Sequence, residues 1–382
     1  MKRLFCDGLI YDTEKKEFIR ADILTDDTKI IRIEEEVDIL EADEIVDCSG
    51  KYIIPGFVDV HSHGRTLHDF NTTDTDGVRE LRDSYAKVGT TTFMATLASA
   101  TKEELFASMD AIAANRDEKG GTATIGGVHL EGRYLNEKRR GAHATHLLAK
   151  PDAAEINEFI DKMLPAPFHV SAALELADKD FYDAVISRGG TLGIAHSDAT
   201  YDEALVAVEN GATAFTHTFN AMRPIHHREP GNITAALLSD AYTEVICDGF
   251  HVNPAVVKML HRIKSPERLV LITDSMEATG ATDGEYSIAG QKVFVVDGKA
   301  VNAEGAIAGS TLDLHTALKN FMRFCDLSLE EALPAATLNP AKMVHLDSVC
   351  GMIAEGLRAD LIIIDSKKEV NIEAVYAAGE KV

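Results

Sequence analysis

The stretch IIPGFVDVHSH (53–63) is an apolar run that breaks off in two histidines. Seven more runs of this kind follow: GTTTFMAT (89–96), TATIGGVHLEG (122–132), FHVSAALEL (168–176), TLGIAHSDA (191–199), ATAFTHTFNA (212–221), TEVICDGFHV (243–252) and RLVLITDS (268–275). Each is short enough for a strand and closes in polar or small residues. Helix-like stretches such as VRELRDSYAKV, DEALVAVEN and PAVVKMLHRI lie between them. Strand and helix alternating eight times predicts an α/β fold, a (β/α)8 TIM barrel. An open doubly wound sheet is the alternative. No GxGxxG turn follows an early strand to mark a dinucleotide-binding version.

Outside these runs the pattern changes. LFCDGLIYD, ADILTDDTKIIRIEEE and EIVDCSGKYIIPG in the first fifty or so residues read as short strands broken by turns, and so do GMIAEGLRADLIIID and VNIEAVYAAGEKV near the end. We expect the two ends to pair into one small β domain, residues 1–54 with 346–382, flanking a barrel of 55–345. Residues 283–308 interrupt the rhythm and read as a short hairpin inserted after the eighth strand.

The chain has 382 residues, enough for a barrel of typically ~250 residues with an addition. Its net charge of −24 argues against nucleic acid and anionic membranes as partners. A small anionic substrate stays open, since one Arg and a few backbone N–H groups can hold a phosphate in a locally positive pocket. Five cysteines without a CxxC pair read as thiols of a reducing cytoplasm. No transmembrane run and no signal-peptide core is recognisable.

The polar residues that close the runs carry the chemistry: His61 and His63, Glu131, His196, His217, His251 and Asp274. Strand ends of a β/α barrel converge on one face, where the active site lies. Residues two apart on a strand point to one side, so His61 and His63 suit a shared metal ion. Lone histidines such as His196 or His217 are more often hydrogen-bonded core groups than ligands. With Glu131 they make one carboxylate and two imidazoles, a set that suits a catalytic divalent metal with an open position. Asp274 is placed to take a proton from attacking water and return it to a leaving group, although Asp and Ser there also suit a helix cap. Arg228, in HHREPG (226–231), is of the residue type that holds phosphate or carboxylate.

Read together, PGFVDVHSHG, HLEG, GAH (141–143), HSDA, THTFNAM, REPG, DGFHV, TDSMEATG and IAGS resemble, in order, the N-acetylglucosamine-6-phosphate deacetylases of the amidohydrolase superfamily. The likeness spans roughly residues 50 to 345. It implies a barrel with a small β-sandwich from both termini, a homodimer, and a phosphosugar substrate that loses acetate. It implies that Glu131, His196 and His217 bind a divalent metal (zinc, iron, manganese or similar). The retained His61 and His63 make one or two ions per subunit plausible. Asp274 would be the general acid and base. Asn220, Ala221 and Arg228 would hold the phosphate, Arg228 from its own chain or across the dimer. Ala142, His143, His251, Ile307 and Ala308 would contact the sugar. One departure stands out: the resembled family usually reads HLEGP, and here Arg133 follows HLEG. That puts substrate preference in question and makes Arg133 a candidate phosphate contact. Other readings are an amidohydrolase for cyclic amides or a deaminase, or the galactosamine epimer. A modified lysine would close the fourth strand in many cyclic-amide enzymes, and that strand here ends AALELA. A barrel kept only for interaction would have lost its ligands, and none is lost.

Overall fold

The computed structural model describes residues 1–117 and 120–382. Eight parallel strands form one sheet: β1 (Phe57–Ser62), β2 (Thr90–Leu97), β3 (Thr124–Glu131), β4 (Phe168–Ala172), β5 (Thr191–Ile194), β6 (Ala214–Phe215), β7 (Tyr242–Ile246) and β8 (Leu269–Ile272). Every residue of β2 and β3 is buried. That is why these strands read as continuous apolar runs: a parallel sheet covered on both faces has no solvent side to alternate with. Helices 75–87, 102–113, 153–163, 179–186, 201–209, 231–238, 254–263 and 314–325 follow the strands in turn. Thr101 with Glu104, and Thr200 with Glu203, form reciprocal capping boxes that fix two of their starts.

The barrel closes between β8 and β1 by a short seam rather than a long ladder. Asp274 N–H donates to the His61 carbonyl (2.9 Å) and His63 N–H to that of Ser275 (2.8 Å). The rest falls to Asp59, buried in β1. Its carboxylate accepts from Thr273 Oγ1 (2.6 Å) and Thr273 N (3.4 Å) and from His61 N (3.3 Å). Lower in the barrel, a polar chain runs Thr96–His129–Ser171–Thr216 at 3.2, 2.8 and 2.7 Å.

The first run of the sequence divides at Gly56. Tyr52–Pro55 belongs to an outer six-stranded sheet, and the barrel begins at Phe57. In that outer sheet Tyr52–Pro55 pairs antiparallel with Leu361–Ile364, so strands from the two ends of the chain do lie side by side. A four-stranded sheet from 2–6, 22–26, 29–34 and 44–47 stands beside it. The insertion after β8 is one strand richer than the hairpin expected: Gly284–Ile288, Gln291–Val296 and Lys299–Asn302 form a three-stranded antiparallel flap. The alternation of Val293, Phe294, Val295 and Val296 between buried and exposed shows why, since one face of this sheet has its own small core.

The seam makes a stability prediction. Asp59→Ala leaves the buried Thr273 amide without an acceptor and its hydroxyl with only the longer bond to the His61 carbonyl (3.3 Å), and should cost about 1–3 kcal/mol, while Asp59→Asn, which keeps one acceptor, should cost less. The urea midpoints of both variants measure this, and an unchanged midpoint for the alanine variant would remove Asp59 from the closure.

Candidate metal centre and active-site pocket

Six side chains from five strands meet at the mouth of the barrel. His61 lies in β1 and His63 just after it, and Glu131 closes β3. His196, His217 and Asp274 each stand two residues beyond the ends of β5, β6 and β8. All three have left-handed backbone, with φ of 44°, 33° and 50°. That conformation is uncommon outside glycine, tolerated best by Asn, Asp and His, and costs of order 1–3 kcal/mol per residue. The chain turns sharply out of each strand there, and the side chain stays over the mouth.

Glu131 is the hub. Its Oε1 is 2.8 Å from His217 Nε2 and 3.4 Å from His196 Nε2. Its Oε2 is 3.1 Å from His63 Nε2 and 3.4 Å from His61 Nε2. Asp274 Oδ1 completes the second group, 3.3 Å from His63 and 3.5 Å from His61. Four ligands each about 2.1 Å from one ion stand roughly 3.4 Å apart, so these spacings suit ligands around a divalent ion. The proton positions agree. His196 Nδ1 lies 2.8 Å from the Arg139 carbonyl, which can only accept, so the proton is on Nδ1 and Nε2 turns a bare lone pair inward. His61 Nδ1 faces Glu244 Oε2 at 3.3 Å in the same way. His61 Nε2 is buried with no hydrogen-bond partner, and the His196 and His217 Nε2 atoms stand 3.1 Å apart. Imidazole and carboxylate donors in this arrangement fit a divalent cation.

With no ion bound, the same carboxylates hold protons on the imidazoles. Burial lowers His61 and His63, but Glu131 and Asp274 outweigh it, putting His61 well above its ordinary value and His63 at about 9. Burial likewise raises Asp274, and the two histidines overcome it and hold Asp274 at about 2.

A cavity of about 310 Å³ opens above this centre, within the range of small-ligand sites. Ala142, His143, Asn220, Ala221, His251, Ile307 and Ala308 all line it, as do His63, Glu131, His196, His217 and Asp274. His251 is held by Asp248, Nδ1 to Oδ2 at 2.6 Å. Burial, then His196, pushes His143 down to about 3, so its ring is neutral. Two sequence candidates lie elsewhere. Arg228 is on an exposed loop outside the cavity wall, its guanidinium against His227 (2.8 Å). Arg133 does not line the cavity either: its side chain turns to Glu155 (3.2 Å).

Residues 52–382 match the amidohydrolase family. The chain belongs to that family. It is 32% identical to N-acetylglucosamine-6-phosphate deacetylase of Lysinibacillus sphaericus over 91% of this chain and 89% of that protein. It is 30% identical to N-acetylgalactosamine-6-phosphate deacetylase of Escherichia coli over 88% of this chain and 89% of the relative. A crystal structure of a mutant N-acetyl-D-glucosamine-6-phosphate deacetylase from Mycobacterium smegmatis, in complex with N-acetyl-D-glucosamine-6-phosphate, superposes with TM-score 0.90 at 32% identity, covering 100% of this chain and 99% of that one.

This amidohydrolase also uses residues that sequence reading passed over. Glu244 of β7 is fully buried and holds both His61 Nδ1 and the His217 amide (3.1 Å). A carboxylate inside the apolar run TEVIC was its signal. Ser99 and Gln291 line the cavity. Ser99 stands two residues past β2, the same offset as the other strand-end groups, and that offset could have found it. Gln291 on the flap carries no such mark.

Gly132 permits the approach of the Ser99 segment. A Cβ there would stand 2.4 Å from Ser99 N and 2.6 Å from its Oγ, and φ is +150°. Gly132→Ala should therefore lower the thermal midpoint by several degrees, read by calorimetry. An unchanged midpoint would show that the two segments have room to part.

Proposed function

We propose that this amidohydrolase hydrolyses the N-acetyl group of N-acetylglucosamine 6-phosphate, releasing acetate and glucosamine 6-phosphate. The observation that carries the reading is one buried carboxylate, Glu131, set between two pairs of inward-facing imidazoles beside Asp274, under a cavity of sugar size. The names of its relatives support the substrate.

Glu131, His196 and His217 would hold the principal ion in this reading, and His61, His63 and Asp274 are grouped closely enough that they could hold a second. When bound, a divalent ion there supplies Lewis-acid polarisation of the acetyl carbonyl and a more acidic water. Asp274 accepts the proton of the attacking water and then gives it to the departing amine. His251, Ala142 and the Ile307–Ala308 backbone place the sugar, and His143 donates a hydrogen bond to it. Asn220 and Ala221 hold the phosphate side. There the loops adjoining Gly141 and Ala221 concentrate Lys138, Arg139, Arg140, Arg223 and Arg228, against an overall charge of −24. Part of that charge is already paired: Asp198 takes Arg139 (2.9 Å) and Arg223 (3.0 Å). Arg228 joins the phosphate site from its own chain or across a homodimer, in a cytoplasmic enzyme. Among the described residues no helix is long and apolar enough to cross a membrane.

The Escherichia coli relative makes the galacto epimer a second candidate substrate. Acetate release should be measured from both N-acetylated hexosamine 6-phosphates and from unphosphorylated N-acetylglucosamine, after loading with zinc, iron or manganese. Turnover confined to the phosphorylated sugars is expected. Turnover of none would overturn the reading. Asp274→Asn should lower kcat by about 10²-fold or more, and near-normal turnover would take the proton-transfer role from Asp274. Glu131→Gln weakens both halves of the centre. It should lose metal on dialysis that the parent retains, its affinity falling by at least roughly 10- to 100-fold, as elemental analysis would show.

A further inference from the structure

His143 stands where two roles compete. One of its ring nitrogens lies within 4.8 Å of ligand atoms of Glu131 and His196, close enough to count as a third metal ligand. Its Nδ1 is 2.9 Å from Ser99 Oγ. Which nitrogen carries the proton decides between ligand and donor, and Ser99 decides the proton. The Ser99 hydroxyl also receives the backbone N–H of Arg133, at 2.9 Å. That amide can only donate, so it occupies a lone pair of Oγ. Among the described residues Ser99 Oγ has these two partners and no other. Oγ keeps a second lone pair, but of its two partners only His143 Nδ1 can accept the hydroxyl proton.

We infer that Ser99, with one lone pair taken by the Arg133 amide and its proton turned to His143 Nδ1, is a positioning residue that fixes His143 in the Nε2–H tautomer, making it a hydrogen-bond donor to an oxygen of the bound phosphosugar and barring it from the metal. This rests on the reading of the site given above. It also gives the departure at position 133 a physical meaning. Position 133 needs an N–H and a φ of +49°, neither of which a proline could supply. The side chain of Arg133 is turned away to Glu155 and takes no part. Gly132 allows the approach, since its missing Cβ leaves room for Ser99.

The test is nitrogen NMR on the zinc-loaded full chain with 15N-labelled histidine, with the His143 signals assigned by their loss in His143→Asn. The expected result is a neutral ring with a bare Nδ1 and a protonated Nε2. Ser99→Ala should release this preference, giving a mixture of tautomers, and lower kcat/KM by about 10-fold, the scale of losing a partner that orients a site histidine. Ser99→Thr, which keeps the hydroxyl, should restore both. Arg133→Ala, which keeps the amide, should retain the wild-type tautomer. A wild-type ring protonated at Nδ1 would overturn the proposal and return His143 to the metal. A tautomer unchanged in Ser99→Ala would overturn it as well. If the tautomer and its Ser99 dependence hold while neither phosphosugar is turned over, the positioning stands and the proposed substrate falls.

Discussion

Everything at the mouth of this barrel turns on the carboxylate of Glu131. It is buried, and each of its oxygens faces two imidazoles, so three other strand ends are tied to one side chain. A lone carboxylate in such a place is strongly disfavoured by desolvation. It is stable because burial is opposed by His61 and the other histidines, which hold Glu131 well below the ordinary carboxylate range. The left-handed residues at 196, 217 and 274 follow from the same constraint. At these three positions the chain leaves its strand abruptly and the side chain points back at that centre. The strain sits where the surrounding barrel is rigid enough to impose it.

Around this hub the structure sorts its hydrogen bonds by direction. The outer nitrogens of His61 and His196 are held by Glu244 and the Arg139 carbonyl, and this turns lone pairs inward. Ser99 acts in the opposite sense on His143. Neighbouring imidazoles thus have different chemical faces although they share one pocket. The difference lies in what stands behind each ring, not in the ring itself.

Much of this was legible in the sequence. The eight runs and the polar residues that end them located the barrel and Glu131, His196, His217 and Asp274. Strand ends announce themselves because apolar burial stops abruptly there. The groups that support the ligands were less visible. Asp59 and Glu244 act inside strands, where a polar residue has no periodic signature, and Gln291 reaches the cavity only through the fold of the flap. Arg133 shows the limit most clearly. As a residue type it suggested anion binding through its side chain, yet the side chain is paired with Glu155 and the backbone amide meets Ser99. Sequence reading weighs side chains, and a role carried by an N–H leaves no mark in the residue's letter.

The seam between β1 and β8 and the pairing of Tyr52–Pro55 with Leu361–Ile364 have a consequence for synthesis. A ribosome delivers His61 and His63 early, but their partner Asp274 emerges more than two hundred residues later. Ile53 and Ile54, both buried in the finished molecule, wait longer still for the strand that pairs with them. An apolar strand edge left open for that time is an invitation to wrong partners. The nascent chain therefore needs shielding until its last strand arrives, and metal capture by the full set of donors belongs to the end of folding rather than its beginning.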